Sequence, residues 1–171
     1  TDEYMRTAEP GIYAIGDVVP TPWLAHVASA EGILAVEIIA GKQPQPINYD
    51  RVPSCTYCQP EVASCGLTEA KAKERGYEVK VGRFPVPVIA KAQILGVTEG
   101  LVKIIRDAKY DEFLGLHIIG PHATELIAAA GVALQLEATV EDLINTMHAH
   151  PTVSEIMHEA AEDAHGMVIH V

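Results

Sequence analysis

The chain has no run of about 18 apolar residues, the length a membrane-spanning helix needs. No secretory leader is legible in it either, so nothing in it is expected to span or enter a membrane. It is short of positive charge: 12 Lys and Arg against 23 Asp and Glu leave a net charge of −11. That balance argues against a nucleic-acid or anionic-membrane surface and suits a basic protein partner. Cysteine is scarce. Cys55, Cys58 and Cys65 are odd in number and lack framework spacing, which points to a reduced, intracellular compartment. Compact metal motifs such as His-Glu-x-x-His are missing, as are internal repeats and low-complexity segments.

What is present reads as a folded protein: 49% apolar residues and 20% charged over 171 positions, enough for one good-sized core or a domain plus a piece of another. The opening, TDEYMRTAEPGIYAIGD, has no initiator Met and no run-in, and is expected to start in the middle of a longer enzyme's fold. Residues 11–17 read as a short buried strand ending in Gly16-Asp17, a common place for a ligand-facing carboxylate. A long helix follows, with Pro22 suited to its first turn and Gly41 to its stop. Residues 42–50, with two prolines and no apolar period, read as a linker.

Beyond it the pattern changes. VPSCTYC and EVASCGL read as short strands, and LTEAKAKERG as a helix capped by Thr68 and stopped at Gly76. YEVKVGRFPV alternates as a strand does, and residues 100–120 read as two long strands around the polar turn RDAKYDE. Residues 123–138 read as an alanine-rich helix, apolar on nearly all sides and so expected to be buried, in part against a second subunit. TVEDLINTM is a shorter helix capped by Thr139, with Glu141 and Asp142 in its first turn. The fold class is therefore α+β: an antiparallel sheet with flanking helices, preceded by a strand–helix segment. The expected division is 1–48 and 49–171.

Three stretches could carry chemistry. Cys55-Thr-Tyr-Cys58 lies in a strand pattern, where a spacing of three sends the thiols to opposite faces. Core packing is the expectation there, not redox chemistry. His148, His150 and His158 with Glu155 or Glu162 could form a metal cluster, but only His158 and Glu162, i and i+4 on a helix, share a face by spacing; no metal is expected. His26, His117, His122, His165 and His170 look incidental. The third stretch is HAHPTVSE, 148–155. Pro151 fits the first turn of a helix, placing His150 at or before its cap, outside the ladder. Glu155 lies just over a turn later and can reach back to the imidazole. A carboxylate on one ring nitrogen fixes the tautomer and aims the other nitrogen outward. The helix N-terminus opposes it by disfavouring a permanent charge. Spacing alone allows two readings: a surface cap with an ordinary first-turn acid, or a proton-handling pair.

HAHPTVSE resembles the His-Pro-Thr-x-x-Glu signature of the flavin disulfide reductases. Further stretches resemble the family in the same order: TAEPGIYAIGDV (7–18), WLAHVASAEG (23–32), VPSCTYCQPEVASCGLTEAKA (52–72) and LGLHIIGPHATELI (114–127). The resemblance implies that residues 1–48 are the end of an FAD-binding domain and 49–171 an interface, or dimerisation, domain. It implies that Asp17 bonds the flavin's ribityl chain, that Trp23, Leu24, Ala25 and His26 lie against the flavin, and that His150 is the catalytic acid–base, oriented by Glu155. It implies a cis His-Pro bond and a homodimer in which this histidine serves the other subunit's disulfide. The wording is closest to the branch that oxidises protein-bound dihydrolipoamide with FAD and NAD. That branch works with the lipoyl domain and the subunit-binding domain of a 2-oxo-acid dehydrogenase acyltransferase, in the cytoplasm or the mitochondrial matrix. A glutathione-reductase-like enzyme is the neighbouring possibility, but there a second Glu usually follows the first, where this chain has Ile156. A non-enzymatic dimerisation or docking module is the other. The family's Gly-x-Gly-x-x-Gly loop, its NAD domain and its cysteine pair with four intervening residues do not occur here. The chain alone is expected to be inactive and to keep no cofactor.

Overall fold

A computed structural model describes residues 1–170. They form two compact units, one of Thr1–Val52 and one that begins at Pro53.

The first unit is built around one helix, α1 (Ala25–Ile39). It starts three residues after Pro22, because Leu24 is still extended and serves as the N-cap. It ends where Gly41, at φ +76°, donates back to the Ile38 carbonyl, and Lys42 to that of Glu37. The left-handed turn needs no Cβ and satisfies the last carbonyls. Met5, Leu34 and Ala35 form its small core, with Tyr4, Tyr13 and Ile47 against them. The buried strand expected over 11–17 does not form. Its one ladder contact is the bridge between Arg6 and Tyr13, and Ile12 and Ile15 stay exposed. A strand needs neighbours for its N–H and C=O groups, and within this unit only that bridge supplies them. Gly16–Val18 closes into a single 3-10 turn instead.

The second unit holds a five-stranded sheet, β1 (Ser54–Thr56), β2 (Glu61–Gly66), β3 (Val79–Pro85), β4 (Leu101–Asp107) and β5 (Phe113–Gly120). Every pairing is antiparallel, in the order β1-β2-β5-β4-β3. The β4–β5 hairpin is the one expected from its polar turn. Helix α4 (Ala123–Gln135) packs on β2 and β5, and α6 (Glu155–His165) on β3 and β4. Between α4 and α6 runs α5 (Val140–Asn145). Phe84, Val102, Ile104, Leu116 and Ile118 point from the sheet into this layer and meet Ile127, Ala130, Ile156, Ala160 and Ala161. The alternation of strand side chains sends Ile105 to the opposite face, where Ala72 of α2 (Glu69–Glu74) covers it with Leu114. A short helix α3 (Ala90–Ile94), which carries no periodic signal, follows β3.

The helical layer is tight against the sheet at one end and open to solvent at the other. Gly82 of β3 lies so close to α6 that a Cβ there would stand 1.9 Å from the Ala160 carbonyl oxygen. Helix α4, by contrast, is apolar all round but buried on one side only: Ile127, Ala130 and Leu134 pack inward, whereas Val132 and Leu136 are 60% and 75% exposed.

Candidate functional site

The loop from Thr146 to Ser154 joins α5 to α6. Upstream of it, α5 opens on a reciprocal cap. Thr139 accepts from the Asp142 N–H at 3.1 Å, and Asp142 accepts from the Thr139 N–H at 2.8 Å. The loop's downstream end differs from expectation. Helix α6 begins at Glu155 with Ser154 as N-cap, so Pro151 lies outside the helix and not in its first turn. The His150–Pro151 bond is cis, as the resemblance implied. Beyond it comes a compact turn, in which the Thr152 hydroxyl donates to the Ala149 carbonyl at 2.7 Å.

This turn brings His150 and Glu155 together. Nδ1 of His150 is 2.8 Å from Oε1 of Glu155, and the Thr152 N–H donates to Oε2 at 2.9 Å. Both carboxylate oxygens are thereby used, one to hold the ring and one to hold the acid itself. Burial pushes the Glu155 carboxyl upward, but the Thr152 N–H and the imidazole outweigh it and hold the group below its ordinary value. The acid stays ionised where imidazole titrates. Nδ1 is then the bonded nitrogen, and Nε2 is left to exchange a proton. The His150 side chain is 68% exposed, turned away from its own chain's core. Such a pair can withdraw a proton from an acid brought against it and stabilise the resulting imidazolium.

The neighbouring histidines do other work. His148 is half-buried, with Nδ1 2.9 Å from the Thr146 carbonyl. Burial holds it below the usual imidazole range, and the nearby His158 adds to that. The His148 and His158 rings lie 6.0 Å apart. His158 pairs with Glu162 at 3.3 Å, as their spacing suggested. Among the described residues no three His, Cys, Asp or Glu side chains are arranged to hold a metal ion.

Two of the histidines that look incidental in sequence have carboxylate partners. His165 lies 2.9 Å from Asp111, which also receives Arg106 at 2.9 Å and the Glu141 N–H at 2.8 Å. His170 lies 2.6 Å from Glu159. Partners 54 and 11 residues away carry no spacing signal. His117 bonds the Leu67 carbonyl at 3.1 Å, and burial lowers its pKa.

The cysteines divide. Cys65 is buried, and its thiol is pushed up to about 11 by burial; half-buried Cys55 is raised for the same reason. Both pack in the core as expected. Cys58 does not: β1 ends at Thr56, and its thiol lies exposed beside the Pro60 carbonyl.

In the first unit Asp17, Trp23, Ala25 and His26 are exposed and Leu24 is half-buried. The residue that shapes this edge is Glu31, for which no motif speaks. It is fully buried in α1, with Oε2 accepting from the Gly16 N–H at 2.7 Å and Oε1 from the Tyr49 hydroxyl at 2.8 Å. Burial raises the Glu31 carboxyl, yet these donors hold it below its ordinary value. Burial and the adjacent carboxylate push Tyr49 up to about 12. Gly16, at φ +69°, has the left-handed backbone that turns its N–H onto Glu31 and presents Asp17 to solvent. The sole sequence signal for Glu31 is an acid set in an apolar helix.

Residues 52–161 match the family model described as Pyridine nucleotide-disulphide oxidoreductase, dimerisation domain, and residues 1–32 match Pyridine nucleotide-disulphide oxidoreductase. The chain belongs to the pyridine nucleotide-disulphide oxidoreductases. It is 50% identical over 169 residues to the dihydrolipoyl dehydrogenase of Bacillus subtilis, covering 99% of this chain and 36% of that relative. It is 46% identical over 170 residues to the mitochondrial dihydrolipoyl dehydrogenase of Pisum sativum, covering 99% and 34%. The chain thus spans about a third of the length of these relatives. A crystal structure of LpdA from Mycobacterium tuberculosis superposes with a TM-score of 0.88 at 30% identity, over 94% of this chain and 35% of that one. The HOCl-induced flavoprotein disulfide reductase RclA of Escherichia coli, 24% identical, shares the fold at a TM-score of 0.85, over 94% and 37%. The matched dimerisation domain of this oxidoreductase family supports homodimer formation. The α+β sheet with flanking helices is that domain's fold. No helix among the described residues is long and apolar enough to cross a membrane.

Proposed function

We propose that this chain is the interface part of a dihydrolipoyl dehydrogenase, and that His150 and Glu155 are its acid–base pair. The observation that carries the reading is the 2.8 Å contact between His150 Nδ1 and Glu155, with the rest of the ring facing outward. A dithiol is a poor nucleophile at neutral pH, since an unperturbed thiol has a pKa of about 8.5. His150 accepts the proton of the incoming dihydrolipoyl thiol through Nε2. The thiolate so formed attacks a disulfide supplied by the partner subunit, and that disulfide is reduced as the substrate is oxidised. Glu155 keeps the ring oriented and stabilises its charged form. Ile156 stands where the glutathione branch usually has a second glutamate, which supports the lipoamide branch.

In this reading residues 1–48 close an FAD domain and 49–171 form the interface domain. Exposed Asp17 suits the hydroxyls of a ribityl chain, and the edge formed by Trp23, Leu24, Ala25 and His26 suits an apolar ring. Bound FAD and NAD⁺ supply the electron-accepting chemistry. The remaining partners are a second copy, a lipoyl domain and a basic subunit-binding domain of an acyltransferase, which the net charge of −11 favours. The bacterial and plant mitochondrial relatives suit a cytoplasmic or matrix setting. By itself the chain is inactive and keeps no flavin.

The test is His150→Gln in the enzyme that joins this chain to its FAD and NAD parts. Dihydrolipoamide-dependent NAD⁺ reduction should fall by about 10²–10⁴-fold, the usual worth of a general acid–base group. Unchanged turnover would remove the assignment. Activity with glutathione in place of dihydrolipoamide would move the chain to the neighbouring branch.

A further inference from the structure

Glu155 and Glu159 stand at i and i+4 on α6 and so share a helix face. Each is met by an imidazole through Nδ1: His150 at 2.8 Å from Glu155, His170 at 2.6 Å from Glu159. All four side chains line one cavity of about 280 Å³. The Glu159 side chain is 9% exposed, and its second oxygen, Oε2, is buried without a hydrogen-bond partner. The His170 side chain is 67% exposed. The second pair therefore runs from a buried acid to a ring at the surface, beside the first.

We propose that His170 and Glu159 form a second imidazole–carboxylate pair, which takes on the proton collected by His150 and passes it to water. This rests on the reading of His150 and Glu155 as the dithiol's acid–base pair. Oxidising one dithiol to a disulfide gives up two electrons and two protons. One proton leaves with the electrons on NADH, and the other must reach bulk solvent. His150 is ready for the next thiol only after that proton has gone, and a substrate seated against its exposed face takes away the water that would receive it.

The cavity offers another route. Both rings are held at Nδ1, so Nε2 is the exchanging nitrogen of each. Each imidazole has its own carboxylate to stabilise the charged ring, so the proton is accommodated on either ring and its transfer leaves the net charge of the cavity unchanged. The unpartnered Glu159 oxygen is one more acceptor in that space. Glu159 and His170 also line a neighbouring cavity of about 480 Å³, where His148, His158 and Glu162 are the other titratable groups beside Glu155. None of these three lines the space that holds His150.

The experiment is buffer rescue in the complete enzyme. His170→Gln should slow dihydrolipoamide oxidation by about tenfold in dilute buffer, less than the 10²–10⁴-fold of a direct acid–base group. KM should be unchanged, and added imidazole buffer should restore the rate. The parent enzyme should not respond to imidazole, and neither should His150→Gln. His170→Asn repeats the test if the glutamine variant does not accumulate folded. A His170 variant with the parent's rate, or a slow one that imidazole does not restore, overturns the inference. If His150→Gln itself turns over normally, it is the underlying assignment that falls.

Discussion

Gly82→Ala should loosen the second unit and its candidate site together. The added Cβ would sit 1.9 Å from the Ala160 carbonyl oxygen, 2.5 Å from the Ala164 nitrogen and 2.8 Å from its Cβ. An ordinary carbon–oxygen contact is about 3.3–3.6 Å, so α6 has to withdraw by roughly 1.5 Å. The layer it would leave is close-packed, with Ile156, Ala160 and Ala161 fully buried. Overpacking costs about 1–3 kcal/mol, and here two of the three clashing atoms are backbone, so the upper end, about 3 kcal/mol, is expected. With a urea slope of about 2 kcal/mol/M, the unfolding midpoint falls by roughly 1.5 M. Gly131→Ala is the control. That glycine lies within α4, and nothing stands within 4 Å of the Cβ it would gain. Adding the methyl there should stabilise by about 0.5–1 kcal/mol through helix propensity. The withdrawal also carries Glu155 away from His150, so the imidazole NMR signals of His150 should move in Gly82→Ala and not in Gly131→Ala. A Gly82→Ala midpoint equal to the parent's would refute the close approach of β3 and α6.

Glu155→Gln keeps the size of the side chain but removes its charge. On the proposed function, dithiol oxidation by the complete enzyme should fall by the worth of one charge-assisted hydrogen bond, about 1.5–3 kcal/mol, or roughly 10- to 150-fold in steady-state rate. Stability should rise with pH through about 6.5, because half-buried His117 and His148 have lowered pKa values and the unfolded chain binds more protons there. Urea midpoints compared at about pH 5.5 and 7.5 check this; a lower midpoint at the higher pH would contradict it. At the alkaline end the sign reverses, since folded Cys65 keeps its proton up to about 11, so stability should decline from the unfolded thiol's pKa upward. Asp111→Asn weakens the contacts to Arg106 and His165 while tolerating the left-handed backbone at φ +58°. It should cost about 2 kcal/mol in thermal unfolding.

Much of the second unit is legible in the sequence because its signals are local. Thr68 and Thr139 cap the helices they precede, Gly76 follows the helix it stops, and the polar turn before β5 makes the expected hairpin. HAHPTVSE announces the contact between His150 and Glu155 for the same reason: both partners lie within six residues. The start of α6 is misjudged from sequence because a proline suits a helix's first turn as well as a bend before it, and nothing local separates the two. The strand expected over 11–17 fails for want of sheet neighbours, a tertiary condition that no window of sequence reports. The partners of Asp111, Glu31 and Glu159 are out of reach in the same way, since each joins segments that only the fold brings together.

The His150 ring is braced from behind by its own helix and bare in front. On the proposed function, this chain holds half of a working centre ready before anything arrives to use it, and a second copy would deliver the other half. In an enzyme built this way, dilution would silence turnover as surely as a broken bond, and the rate per chain would track how many chains are assembled.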